Sequence, residues 1–222
     1  MSTVTSGMTG QEMVALSKQH SLFEWSAQGA VDPIPVARAK GVHFWTPEGK
    51  RFIDFNSQLM CVNIGHGDER VIKAIQEQAA TLAYANPFMA TEPRARLGQK
   101  LAAICPGDID VFFFTNGGAE ANENAIRIAR LYTGRHKVLA RYRSYHGGTG
   151  ASLTATGDPR RWAMEPGMPG IVHVPHPYKG PQKGTLCGPD ALAEIEEVIM
   201  LEGPHTIAAF LLEAVTGTNG IH

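Results

Sequence analysis

The stretch that decides the fold runs from Val111 to Tyr132, VFFFTNGGAEANENAIRIARLY. Val111-Phe112-Phe113-Phe114-Thr115 is continuously apolar and aromatic where a half-exposed strand would alternate, which predicts a strand covered on both faces. Asn116-Gly117-Gly118-Ala119 breaks that run. Ala121, Ala125, Ile128 and Tyr132 then recur at helical spacing as one stripe, with Glu123 four residues ahead of Arg127. Buried strand, glycine turn and helix in immediate succession predict an α/β domain with a largely parallel sheet.

Working downstream, Val138 to Tyr142 reads as another short strand and Ile171 to Val174 as a third, while the glycine- and proline-rich stretch from Gly147 to Gly170 reads as a long functional loop. Asp190 is placed to cap a helix running through Met200 that buries Leu192, Ile195 and Ile199, before a fully apolar strand from Ile207 to Leu212. Working upstream, a helix beginning near Pro93 buries Leu97, Leu101 and Ile104 and stops before Cys105-Pro106-Gly107. Ile72, Ile75, Ala79 and Leu82 mark an amphipathic helix from Glu69. The runs VHFW and RFIDF flank Thr46-Pro47-Glu48-Gly49-Lys50 and predict a hairpin, and the two prolines of VDPIPVARA predict an extended arm. The expected division is residues 1–65 as an amino-terminal arm and small-domain segment, and 66–222 as the first part of a large domain.

The 222 residues are 43% hydrophobic and 18% charged, enough for a substantial core, and a net charge of −1 offers no general attraction to nucleic acid or anionic lipid. No window approaches the roughly 20 apolar residues of a membrane crossing, and the amino terminus lacks a basic segment followed by an apolar one, so a cytoplasmic protein is expected. Cys61, Cys105 and Cys187 are odd in number and widely spaced, which argues against a disulfide framework or a thiolate metal site. His173-Val174-Pro175-His176 lacks a carboxylate or cysteine at ligand spacing, and no metal is expected.

Consecutive glycines at Gly117 and Gly118 let a backbone approach an oxyanion, and the helix behind them offers unpaired N–H groups and a positive dipole end. The same residues would equally serve a tight turn with no ligand. Neither GxxxxGK[ST] nor GxGxxG occurs, so a small monophosphate suits this turn better than a nucleoside triphosphate or dinucleotide. Tyr145-His146-Gly147 follows a predicted strand, and strand ends of a parallel sheet open on one crevice, so Tyr145 could stack on a planar ring held at Gly118 and Ala119 or plug the loop from beneath. Glu213 ends the last apolar strand, facing either that crevice or solvent.

Together these pieces resemble the class III aminotransferases, a branch of the fold-type-I pyridoxal-phosphate enzymes that includes the omega-amino-acid:pyruvate and amine:pyruvate transaminases. The resemblance rests, in order, on GKRFIDF, CVNIGHGD, FFFTNGGAEANENAIRIAR, Tyr145-His146-Gly147 and LLEAVTGTNGI, and runs from about Val42 onward. It implies a fold-type-I architecture with a central, mostly parallel sheet flanked by helices, pyridoxal 5'-phosphate as cofactor, and transfer from an amine or omega-amino acid to a keto acid, pyruvate, through pyridoxamine phosphate. It implies that Gly118, Ala119, Tyr145, His146, Gly147 and Glu213 hold the cofactor, that Leu59, Met60 and Phe88 line the substrate pocket, and that the protein is a homodimer with sites at the interface.

This sequence departs from the family at Gly117, where a serine is common, at Ala214, where proline is usual, and at Met60, where several relatives have a large aromatic residue. The resemblance places the Schiff-base lysine downstream of the LLEAV strand, and Lys18, Lys40, Lys50, Lys73, Lys100, Lys137, Lys179 and Lys183 all precede it. The 222-residue chain alone is therefore expected to be inactive. The rival readings are another fold-type-I activity, such as an aminomutase or decarboxylase, and a noncatalytic interaction protein that keeps the fold.

Overall fold

A computed structural model of the chain describes residues 7–176, 189–215 and 217. The chain divides into two compact units, Met1–Ala95 and Arg96–His222.

In the first unit, α1 (Gly10–His20) opens on a capping box, with the Glu12 N–H donating to Thr9 Oγ1 at 3.2 Å and the Thr9 N–H to the Glu12 carboxylate at 2.8 Å. The strands β1 (Arg38–Lys40), β2 (His43–Trp45) and β3 (Arg51–Ile53) form an antiparallel sheet in chain order. The turn predicted at Thr46 to Lys50 joins β2 to β3, and Phe44 lies opposite Phe52 with their rings stacked 5.1 Å apart. The short segment α2 (Ser57–Met60) is left-handed, with φ of 50°, 51°, 56° and 64° at Ser57, Gln58, Leu59 and Met60. Four such residues without glycine store roughly 1–2 kcal/mol each and persist only if their surroundings fix them. The Gln58 N–H donates to Asp54 Oδ1 at 3.2 Å, and Asp54 Oδ2 lies 2.6 Å from His66 Nε2, so a part-buried pair anchors the turn. Asp68 caps α3 (Glu69–Thr81), and α4 (Glu92–Ala102) runs on past the end of this unit, both as the spacing predicts.

The second unit holds α5 (Gly118–Thr133), β4 (Lys137–Arg141), α6 (Gly150–Ala155), β5 (Ile171–Val174), α7 (Pro189–Glu202) and β6 (Ile207–Leu211). The sheet order is β5-β4-β6, parallel throughout. β4 is central, and its apolar run Val138-Leu139-Ala140 is buried, as a strand with a neighbour on each edge and cover on its faces should be. Ile126 of α5 and Ala151 of α6 pack on Val138, with Ile171, Ala209 and Leu211 around them.

Several expectations are corrected. Val111–Thr115 is not a covered strand: among the described residues no strand pairs with it, and Val111 is 86% exposed. Its continuous apolarity signals surfaces suited to burial, but a strand also needs a ladder partner, and none of the described strands reaches it. The predicted stripe of α5 is the outward one, with Ile128 half exposed and Tyr132 91% exposed. Ile126 packs on the sheet instead, with Ala119 and Ala129 partly buried, because a helix with apolar residues on more than one face leaves the choice to packing. Leu97 and Ile104 are exposed, and only Leu101 of that trio is partly covered; no described element lies over the face. In α7, Leu192 points outward while Ile195 and Ile199 are partly buried; the side chain of Asp190 lies outside the described residues. The loop from Gly147 to Gly170 contains α6 and a 3-10 turn, Pro159–Met164, that small and mixed residues did not announce. No helix among the described residues is long and apolar enough to cross a membrane.

Candidate functional site

The site begins where Asn116-Gly117 turns the chain into α5. Gly117 is extended and carries no side chain to cap the helix. Among the described residues no acceptor meets the N–H groups of Gly118, Ala119 or Glu120. Glu120 folds its carboxylate back onto the Asn116 N–H at 3.0 Å, away from that role. A β-carbon built on Gly118 would meet nothing within 4 Å, so open space stands at the helix start. Unpaired amides at the positive end of a sixteen-residue helix, facing open space, suit a small anion.

The second wall comes from the chain leaving β4. Arg143 takes a left-handed conformation, φ 61°, and Gly147 lies so close to α5 that an added β-carbon would stand 2.6 Å from Ala119 Cβ. This contact ties the Tyr145-His146-Gly147 loop to the helix start. Polar bonds fix it further: Asn122 Nδ2 donates to the His146 carbonyl at 2.7 Å, the His146 N–H donates to Thr156 Oγ1 at 3.0 Å, and Ser152 Oγ donates to the Ala119 carbonyl at 3.0 Å. Burial would raise the Glu123 carboxyl, but bonds from the Ser152 N–H, the Thr149 hydroxyl and the backbone at Ala151 hold it below its ordinary value. A charged Glu123 thus clamps α6 to α5.

Glu213 follows β6, and its carboxylate lies 3.2 Å from Arg141 Nη2, which also donates to the Glu213 carbonyl at 3.2 Å. His146 is buried, and that burial lowers its pKa, opposed by the charge of Glu213 and assisted by those of Arg141 and His173. Its Nε2 is a buried atom without a hydrogen-bond partner among the described residues, so polar capacity is left over at the strand ends.

The structure therefore brings Gly118, Ala119, Tyr145, His146 and Gly147 together, with Glu213 reaching the same strand ends through Arg141. Leu59, Met60 and Phe88 belong to the other unit: Leu59 and Met60 sit exposed in the left-handed α2 turn, and Phe88, 97% exposed, donates its N–H to Asn86 Oδ1 at 2.9 Å. Of residues 216–220 only Gly217 is described, and Cys187, Lys179 and Lys183 lie outside the described residues. Sequence reasoning missed Asn122, Thr156, Ser152, Arg141 and Arg160. Arg141 had a signal, since it is a cation at the end of β4; Arg160 lies in the unannounced 3-10 turn, and the others bond through contacts 10 to 33 positions apart that no local pattern encodes.

Comparison with known proteins follows the same lines. The class-III aminotransferase family model matches residues 26–222. The chain is 36% identical over 212 residues to a hypotaurine/taurine–pyruvate aminotransferase of Paracoccus denitrificans, covering 91% of this chain and 46% of that protein. It is 32% identical to an omega-aminotransferase of Caulobacter vibrioides, covering 85% and 46%. Among solved structures, an (S)-enantioselective omega-transaminase from Thermomicrobium roseum superposes with a TM-score of 0.89 at 38% identity, over 96% of this chain and 51% of that one. The taurine:2-oxoglutarate aminotransferase of Bifidobacterium kashiwanohense, in complex with PLP and glutamate, gives 0.87 at 38%, over 96% and 50%. The chain spans about half the length of the curated relatives it matches.

Proposed function

This chain belongs to the class-III aminotransferases, and we propose that the whole protein moves an amino group from an amine or omega-amino acid to a keto acid, pyruvate, with pyridoxal 5'-phosphate as cofactor. The observation that carries the cofactor reading is the uncapped start of α5, held against the Tyr145 loop by the approach of Gly147 to Ala119. The fold, a parallel sheet flanked by helices of the fold-type-I kind, agrees with it. Taurine, omega-amino donors and pyruvate as a partner are supported by the names of the similar enzymes.

In this reading the amides of Gly118 and Ala119 bind the phosphate dianion, with the helix dipole contributing up to about 2 kcal/mol in a partly buried setting. Tyr145 covers one face of the pyridine ring and fixes its plane. Glu213, its charge partly offset by Arg141, presents a carboxylate at the strand ends. His146, kept neutral near pH 7 by burial, neither repels that arrangement nor adds a second positive charge to it. When bound, the cofactor supplies an electron sink for the substrate carbon that loses its proton. Leu59, Met60 and Phe88 are proposed for the substrate pocket of the whole protein.

The proposal extends to a cytoplasmic homodimer with sites at the subunit boundary, and to residues 1–65 as arm and small-domain segment with 66–222 as the first part of the large domain. Native-length protein incubated with cofactor, taurine or a primary amine, and pyruvate should form alanine in step with loss of the donor. Carbon dioxide release, or migration of the amino group within one substrate, would point to a decarboxylase or aminomutase instead. Absence of any amine-dependent product together with absence of cofactor binding would defeat the reading.

A further inference from the structure

Tyr145 is not alone on its loop. Gly157 lies against the end of β4 so tightly that an added β-carbon would stand 2.1 Å from the Arg141 carbonyl oxygen. Its N–H donates to the Ser144 carbonyl at 3.0 Å, and its own carbonyl accepts from the Arg143 N–H at 3.0 Å. This two-way backbone pairing carries the following residues alongside Tyr145. Asp158, whose side chain is 5% exposed, starts the Pro159–Met164 turn and accepts the Arg160 N–H at 3.0 Å. Both its oxygens engage the guanidinium of the same residue, Oδ1 taking Nε at 3.1 Å and Oδ2 taking Nε at 3.0 Å as well as Nη2. So held, the Arg160 guanidinium lies 3.8 Å over the centre of the Tyr145 ring.

We propose that Asp158 and Arg160 form a clamp on one face of Tyr145, making Arg160 a positioning residue that fixes the phenol ring for stacking of the cofactor on its other face. The inference rests on the cofactor reading above and deepens it. A flat guanidinium, doubly bound to a buried carboxylate, cannot rotate freely, and a ring stacked on it loses its own rotational freedom before any ligand arrives. The ordering cost of the stacking residue is thereby met in the folded protein rather than at binding. Asp158 neutralises the guanidinium, so the clamp adds position without adding net charge to the site. The ring is only partly buried.

The test is a double-mutant cycle in native-length apoprotein, read as the dissociation constant for pyridoxal 5'-phosphate and the circular dichroism induced in the bound cofactor. Arg160→Ala should weaken binding roughly threefold to tenfold, the range of a partly desolvated cation–ring contact, and reduce the induced signal. In a Tyr145→Ala background the same change should have no further effect, because Arg160 acts only through that ring. Arg160→Lys should recover part of the loss, and Asp158→Asn, which keeps the turn cap but releases the guanidinium, should reproduce it. Unchanged affinity in Arg160→Ala, tighter binding, or an equal loss in both backgrounds would overturn the clamp while leaving the cofactor site standing. Failure of the unsubstituted protein to bind the cofactor would instead overturn the site, and the clamp with it.

Discussion

A methyl group added at Gly147 would stand 2.6 Å from Ala119 Cβ at a φ of 138°, so two faults coincide at one position. Gly147→Ala should lower stability by about 1–3 kcal/mol through overpacking and also weaken cofactor binding, since it pushes the Tyr145 loop off the helix start. Gly118→Ala meets no neighbour, so its thermal midpoint should stay close to that of the parent while cofactor affinity falls, and paired melting and binding curves separate the two cases. Equal melting losses in both variants would contradict the geometry. His146 gives a pH prediction. Burial holds its folded pKa below the ordinary 6.5, so the unfolded chain binds the extra proton first; its contribution to stability is complete above about 6.5 and is lost as pH falls through the folded value. The thermal midpoint should drop on acidification below pH 6.5, and less steeply in His146→Gln, with His173, lowered for the same reason, keeping part of the slope. A slope unaltered by the substitution would show that His146 is not the titrating group. Gly118, Ala119 and Tyr145 were legible as residues because their types are tied to a turn and a ring. Arg160 was not, because what makes it matter is a ring fifteen positions away and a carboxylate two positions away, and only the fold joins them.

At the scale of elements, α5 shows what periodicity can and cannot decide. The stripe after the glycine turn is readable as far as Tyr132, and the structure ends the helix at Thr133, with Gly134 left-handed at φ 67°. Its inward face was not, because alanines and isoleucines occur around much of the helix and the sheet selected Ile126 rather than Ile128. Ile126→Ala should cost about 2–4 kcal/mol by opening a cavity against Val138 and Ala151, whereas Ile128→Ala should cost well under that, as chemical denaturation of the two variants would reveal. A reversed order would mean the helix is turned as the stripe first suggested. Strands β4, β5 and β6 were found within a residue or so of their bounds because short apolar runs between turn residues have few other uses. The Val111–Thr115 run has the same composition and no ladder among the described residues, since composition carries no information about which partner supplies the hydrogen bonds. The left-handed α2 turn has no sequence signal, because serine, glutamine, leucine and methionine disfavour it and its bonds to Asp54, itself paired with His66, come from the fold.

At the scale of the molecule, the α/β class and the parallel sheet followed from the order of elements, and the family match over residues 26–222 agrees with both. The whole protein should sediment at twice its subunit mass, and a monomer that still transfers amino groups would remove the dimer from the account. In the proposed reading, cofactor, sheet and site are linked through one region, the start of α5. A crystal structure of the native-length protein with pyridoxal 5'-phosphate tests that link most directly. The account predicts phosphate oxygens about 2.9 Å from the amides of Gly118 and Ala119, with the pyridine ring lying on Tyr145 opposite Arg160. A phosphate bound elsewhere, with those amides facing only water, would contradict it.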